Sequence, residues 1–256
     1  MTITDQTGRT LSIPDRPERI ISLVPSQTEL LADLGLSDRV VGVTRFCVHP
    51  PEWMKTKTVI GGTKKFDFEQ IARLKPDLIL GNKEENYKEG IEALAESHPT
   101  WVSDIYNLTD ALAMIHQVGD MTNTSRSANA ITTDIKQAFG MLRPKNPARV
   151  LYLIWRKPWM GVGSNTFIHE MLRSAGWTNC LDDRSRYPEI SSQEIEQLDA
   201  DVILLSSEPY PFKEKHVAEL NRVSPRSRVI LVDGEMFSWY GSRLRYAPAY
   251  INSLPL

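Results

Sequence analysis

The chain has 256 residues, of which 41% are hydrophobic and 24% charged, enough apolar material for one large core or two modest ones. Its 30 Lys and Arg against 32 Asp and Glu leave a formal charge of -2, mixed along the chain, and exclude the basic footprint of a nucleic-acid or anionic-membrane binder. Cys47 and Cys180 form no Cys-x-x-Cys spacing. No apolar run approaches the roughly 20 residues that span a bilayer, and the opening Met-Thr-Ile-Thr-Asp-Gln has no signal-peptide pattern.

In chain order, Arg19-Ile-Ile-Ser-Leu-Val-Pro-Ser reads as a buried strand preceded by a cation, and Arg149-Val-Leu-Tyr-Leu-Ile-Trp-Arg repeats it. Leu31-Ala-Asp-Leu-Gly35 and Leu172-Arg-Ser-Ala-Gly176 each end a helical pattern in a glycine able to take the left-handed cap. The longest match runs without a gap from Asp67 to Leu80 against Ser191 to Leu204. It predicts a short helix capped by Asp67 or Ser191, with Gln70 or Glu194 in the capping-box position, running into a buried strand. This duplication predicts two lobes of similar plan. Strand-helix-strand alternation in each implies an α/β fold of two Rossmann-like lobes, with parallel sheets and right-handed crossovers.

Between the lobes, Thr109 to Arg143 carries two helical stretches. The second, Ser127 to Leu142, places Ile131, Ile135, Ala138, Phe139 and Leu142 on one stripe and is the predicted interlobe helix, broken by Pro144 and Pro147. The resulting partition is an N-terminal lobe over 1–108, a helical connector over 109–146 and a C-terminal lobe over 147–256.

Ligands of open α/β sheets bind outside the carboxyl ends of the strands. The segments expected there are Thr44-Arg-Phe-Cys-Val-His49 and Asn82-Lys-Glu-Glu-Asn-Tyr87 in the first lobe. In the second they are Trp155-Arg-Lys-Pro-Trp159, Arg186-Tyr-Pro188, Ser206-Ser-Glu-Pro-Tyr210 and Phe237-Ser-Trp-Tyr-Gly-Ser-Arg243. Aromatics with arginines suit a flat ligand with anionic edges. Arg45, Arg156, Arg186 and Arg243 are the candidate cations, each alone more often a surface ion-pair residue. Trp155, Trp159 and Trp239 are expected in a cleft between the lobes, and Trp53, Trp101 and Trp177 in the core. Cys47 and His49, with Glu84, Glu85, Glu208 or His216, could make an N/S/O metal set, although a buried thiol beside a loop histidine is the plainer reading.

The order of these pieces resembles the helical-backbone metal-receptor family, whose members bind cobalamin, siderophores and haem for ABC importers. The resemblance covers nearly the whole chain and rests on Asp5-Gln-Thr-Gly-Arg9, on Pro17 to Glu29, on Val41-Gly-Val43 followed by Pro50-Pro51, and on Leu74-Lys-Pro-Asp-Leu-Ile-Leu80. It implies a solute-binding protein that needs no cofactor, is not an enzyme and holds a cobalt corrinoid, haem or ferric chelate in a cleft between two lobes joined by a long helix. By family position, Phe46, Tyr187 and Glu235 would line that cleft. Lys64 and Glu84 are also expected among the ligand-binding residues. Thr63 stands where a tryptophan would be expected, which weakens the case for cobalamin itself. The resemblance also implies an ABC permease as partner, docked through Glu69 and a second-lobe acid. Gln193 occupies the strict counterpart, with Glu194 next to it. A monomer in the periplasm or at the cell surface is expected, without membrane insertion.

Two other readings remain open at this point. A cytoplasmic chelate sensor or chaperone of the same fold would account for Gln193 and the unsignalled start. A hydrolase or transferase using Cys47 with His49 or His216 as base is the other. Against the latter, the chain lacks a Gly-x-Ser-x-Gly elbow, a phosphate-binding loop and a zinc-hydrolase motif.

Overall fold

The computed structural model describes residues 1–143 and 147–256. Two compact units emerge: Met1–Ile105, Thr109–Ile135 and Tyr240–Arg243 make the first, and Tyr106–Leu108, Lys136–Trp239 and Leu244–Leu256 the second. The helix Ser125–Gly140 passes from one to the other, with the division after Ile135. It starts two residues before the predicted Ser127 because Asn123 takes a left-handed turn, φ 57°, directly after the helix Leu108–Met121. A Cβ on Gly119 would lie 2.4 Å from that of Ala128, so glycine lets the two helices touch. Ile131 and Ile135 are buried as the stripe requires, while Ala138, Phe139 and Leu142 are only half-buried. The predicted break at Pro144 lies outside the described residues.

The first unit carries a five-stranded parallel sheet in the order Thr58–Val59, Val40–Val43, Ile20–Ser22, Leu78–Asn82, Thr100–Ser103. Ile20, Ile21, Leu78, Ile79 and Leu80 are fully buried, as continuous apolar runs in a sheet covered on both faces must be. The second unit pairs Arg149–Trp155 in parallel with Thr178–Asn179 and Val202–Ser206, and the latter with Arg228–Val232. Its sheet is not wholly parallel, which corrects the expectation. Trp159–Gly161 folds back antiparallel on Arg149–Trp155, and Glu189–Ile190 joins it antiparallel. Only Arg156, Lys157 and Pro158 separate the first two strands. A link that short makes a hairpin, whereas a parallel return needs a dozen residues or more.

The duplicated segments form the same device in each unit. Asp67 and Ser191 cap their helices by accepting from the backbone N–H of Gln70 and Glu194. Glu194 also closes the capping box, whereas the Gln70 side chain accepts from Arg73 instead. Past the helices, Lys75 and Asp199 adopt left-handed φ of 46° and 45°. The aspartate that follows then pins the neighbouring strand: Asp77 accepts from the backbone N–H groups of Glu18 and Arg19, and Asp201 from that of Arg149, all at 2.8 Å. The cation before each strand reaches back to the helix end, Arg19 to the Leu74 carbonyl and Arg149 to that of Leu198, where a positive charge meets the negative pole of the helix. Gly35 and Gly176, φ 79° and 78°, end the matching upstream helices.

Candidate ligand-binding faces

In the first unit, the loop after Val40–Val43 presents Phe46, 53% exposed, with its ring against Gly62, where a Cβ would come 3.1 Å from Phe46 Cε2. Arg45 is exposed, and its backbone N–H donates to Gly61. Cys47 points inward and is fully buried, Sγ 3.0 Å from Thr28 Oγ1 and 3.2 Å from Thr44 Oγ1. Burial pushes its thiol pKa up, the opposite of what a nucleophile needs, so the cysteine-enzyme reading is not supported. His49 is half-buried.

The Asn82–Tyr87 segment, expected to meet ligand, is largely a clip within the fold. Asn82 Oδ1 accepts from the N–H groups of Glu84 and Glu85, and Asn86 Oδ1 from that of Asn82. The Asn86 amide donates to the carbonyls of Leu23 and Thr63. Lys64, expected among the ligand-binding residues, donates its ammonium to the carbonyls of Glu84 and Asn86. Arg243 is likewise used, in a two-pronged pair with Glu29 at 2.8 and 2.7 Å, the two side chains 12% and 17% exposed. Unpaired, a guanidinium so far buried would be costly.

In the second unit, Trp155 closes its strand 40% exposed and meets Tyr210 edge-on, ring centroids 5.6 Å apart. The Tyr210 hydroxyl lies 3.1 Å from His216 Nε2, and His216 Nδ1 accepts from the Lys213 N–H. With Nδ1 accepting, Nε2 carries the proton and donates to Tyr210. Burial, ahead of the charge on Lys215, lowers the histidine's pKa, consistent with a neutral ring. His216 therefore orders the Tyr210 ring and is not poised as a base.

Trp159 and Trp239 depart from expectation. Trp159 is 5% exposed, stacked on Phe212 and covered by the Arg156 guanidinium 4.4 Å above its ring. The hairpin turns it into the apolar core instead of leaving it on a loop. Arg156 is then held on Glu219 by both carboxylate oxygens. Trp239 is 6% exposed and donates Nε1 to Glu208 at 3.0 Å. Arg186, φ 67°, donates to the Asn165 carbonyl and lies 5.5 Å from the Tyr187 ring centroid. Tyr187 and Glu235 are half-buried. Trp53, Trp101 and Trp177 are core residues, 2%, 0% and 3% exposed.

The predicted metal set does not assemble: among the described residues no three His, Cys, Asp or Glu side chains are grouped to hold an ion. A crevice of about 390 Å³ lined by Arg9, Leu11, His98 and Thr100 sits where the strand Thr100–Ser103 begins. That is the wrong end of a parallel sheet for a ligand. Of the acids expected to dock a permease, Glu69 is 83% exposed and pairs with Arg73 one turn on. Glu194 is committed to the Ser191 N–H and to Arg184.

A family model described as periplasmic binding protein matches residues 20–223. The chain belongs to that family. Its fold is the two-lobed α/β fold of these binding proteins, a family of substrate carriers and not of enzymes. It is 27% identical to an uncharacterized ABC transporter substrate-binding lipoprotein, YvrC, of Bacillus subtilis, over 95% of this chain and 82% of the relative. The vitamin B12-binding protein of Pectobacterium carotovorum is 28% identical, over 93% and 88%. The periplasmic haem-binding protein RhuT from Roseiflexus in its apo form superposes with a TM-score of 0.80 at 23% identity, covering 90% of this chain and 95% of that one. Tyr210 and Glu208 have parts that the sequence alone does not single out: both fall in the strand-end segment Ser206-Ser-Glu-Pro-Tyr210, and Glu208 is otherwise only an optional metal ligand. Both follow the strand Val202–Ser206 within four residues, which was the available signal. Of their partners, Trp155 ends a strand of the sheet and Trp239 follows the short helix Glu235–Ser238.

Proposed function

We propose that this chain is the solute-binding component of an ABC importer and that its solute is a conjugated metal chelate of the corrinoid or haem kind. The observation that carries the reading is the pair of aromatic side chains left open at strand ends, Phe46 at 53% and Trp155 at 40% exposure, on rigid parallel sheets where the fold binds ligands. Tyr210, tethered by His216, supports the Trp155 ring. An exposed ring held in one orientation offers apolar area at little entropic cost. Names of relatives that carry vitamin B12 and haem favour the same ligand class. Glu69, exposed in the first turn of its helix, is the docking group we assign toward a permease. Operation outside the cytoplasmic membrane belongs to the same proposal. Among the described residues no helix is long and apolar enough to cross a membrane.

The test is a fluorescence titration of the purified protein with dicyanocobinamide, cyanocobalamin, haem and a ferric siderophore. Saturable quenching at micromolar concentration by at least one of them is expected. Trp155→Ala should weaken that binding by about tenfold, the effect of losing roughly 1.4 kcal/mol of contact, with the melting transition retained. Silence with all four chelates overturns the proposal.

A further inference from the structure

Glu208 follows the strand Val202–Ser206 by two residues, on the loop that carries Tyr210 to Trp155. Its backbone N–H donates to Ser206 Oγ at 3.3 Å, and Ser206 Oγ lies 3.2 Å from the buried Tyr152 hydroxyl. On the carboxylate, Oε1 accepts from Ser238 Oγ at 2.6 Å and from Trp239 Nε1 at 3.0 Å. Among the described residues, both of these bonds fall on the same oxygen. The backbone is cut to fit the side chain: a Cβ on Gly234 would stand 2.3 Å from Ser206 Oγ and 2.6 Å from Glu208 Cγ. This carboxylate is therefore positioned from the strand, from the Gly234 turn and from the Trp239 segment at once.

The charge around it is negative. Glu235 and Asp233 act on Glu208 electrostatically, and burial is the leading cause that pushes its pKa up. A carboxylate in that setting gains from any further hydrogen-bond donor and is penalised by a second carboxylate. The candidate cation Arg156, which follows the neighbouring strand Arg149–Trp155, is held on Glu219 and stacked on Trp159.

We infer that Glu208 is a specificity-determining residue, selecting a chelate edged with neutral carboxamide donors, as corrinoids are, over one edged with carboxylates, as haem is. The inference rests on the solute-binding role proposed above and names the ligand class for it. A carboxamide N–H can donate to Glu208, whereas a propionate brought to the same place meets like charge. Repulsion of the wrong partner then contributes as much to selectivity as attraction of the right one.

Cobyrinic acid separates this idea from ring size and metal, because it keeps the cobalt corrin and carries carboxylates where cobinamide carries amides. Tryptophan fluorescence titrations with dicyanocobinamide, dicyanocobyrinic acid and haem should show the cobinamide binding at least about tenfold more tightly than either acid. Glu208→Gln, which keeps the size and an acceptor oxygen for Ser238 and Trp239, should narrow the ratio between the two corrinoids to about threefold or less. Equal or tighter binding of cobyrinic acid, or a ratio unchanged in a folded Glu208→Gln protein, overturns the specificity assignment and leaves the solute-binding proposal standing. No quenching by any of these ligands, by cyanocobalamin or by a ferric siderophore overturns that proposal and this inference with it. If the glutamine variant fails to fold, the ratio of the two corrinoids on the unmodified protein decides.

Discussion

The two units are most alike at the bases of their sheets and least alike at the strand ends. At the bases, a capped helix, a left-handed residue, an aspartate on the next strand's N–H and an arginine on the helix's last carbonyls recur almost position for position. At the strand ends, the first unit offers Phe46 over a buried thiol and an asparagine clip. The second offers an aromatic group backed by His216 and a carboxylate held by Trp239. The base of a parallel sheet must satisfy backbone donors and helix ends in any version of this fold. The strand ends carry no such obligation and can be varied for the ligand.

Substitutions ranked by size test that contrast. Leu80→Ala and Leu204→Ala occupy matched positions in fully buried strands, and each should cost about 3 kcal/mol in urea unfolding. A loss in one more than double that in the other would break the equivalence of the two cores. Arg243→Ala leaves Glu29 without its partner in a largely buried place and should cost about 2 kcal/mol. Were Arg243 instead a ligand cation, stability would hold and chelate binding alone would fall.

The caps come next. Ser191→Ala and Asp67→Ala should each cost about 1 kcal/mol, the aspartate the more, because the serine variant keeps the backbone N–H that donates to Glu194. A larger loss at Ser191 would reverse the ranking of the two helix starts. The smallest effect is the pH response of Glu194, whose pKa is held down first by the backbone N–H of Ser191 and then by Arg184. A folded-state pKa below the unfolded one means that its stabilising contribution is complete above the unfolded value and is lost as pH falls through the folded one. Glu194→Gln should therefore flatten the acid limb of the stability profile and leave neutral pH nearly unchanged. An acid limb as steep as before would show that the capping box is not formed in solution.

The helix-to-strand segments, the glycine caps and the burial of Trp53, Trp101 and Trp177 were legible in the chain because each depends on local spacing. Trp159 and Trp239 were misplaced for a common reason: proline, glycine and charge next to a tryptophan suggest a loop, yet a hairpin folded one ring into the core and a glutamate 31 residues away drew in the other. Two of the four candidate arginines follow the same rule. Arg156 and Arg243 stand at strand ends as expected, but Glu219 and Glu29, 63 and 214 residues distant in sequence, take up their charge.

By itself, then, the sequence determined the α/β class, the duplicated plan and the helix and strand starts, because these follow from hydrophobic period and capping chemistry acting over a few residues. Only the tertiary structure decided which aromatic rings stay open and which cations keep their charge available. That choice turns on partners brought together by the tertiary fold, and pairing between residues tens to hundreds of positions apart leaves no local pattern in the chain.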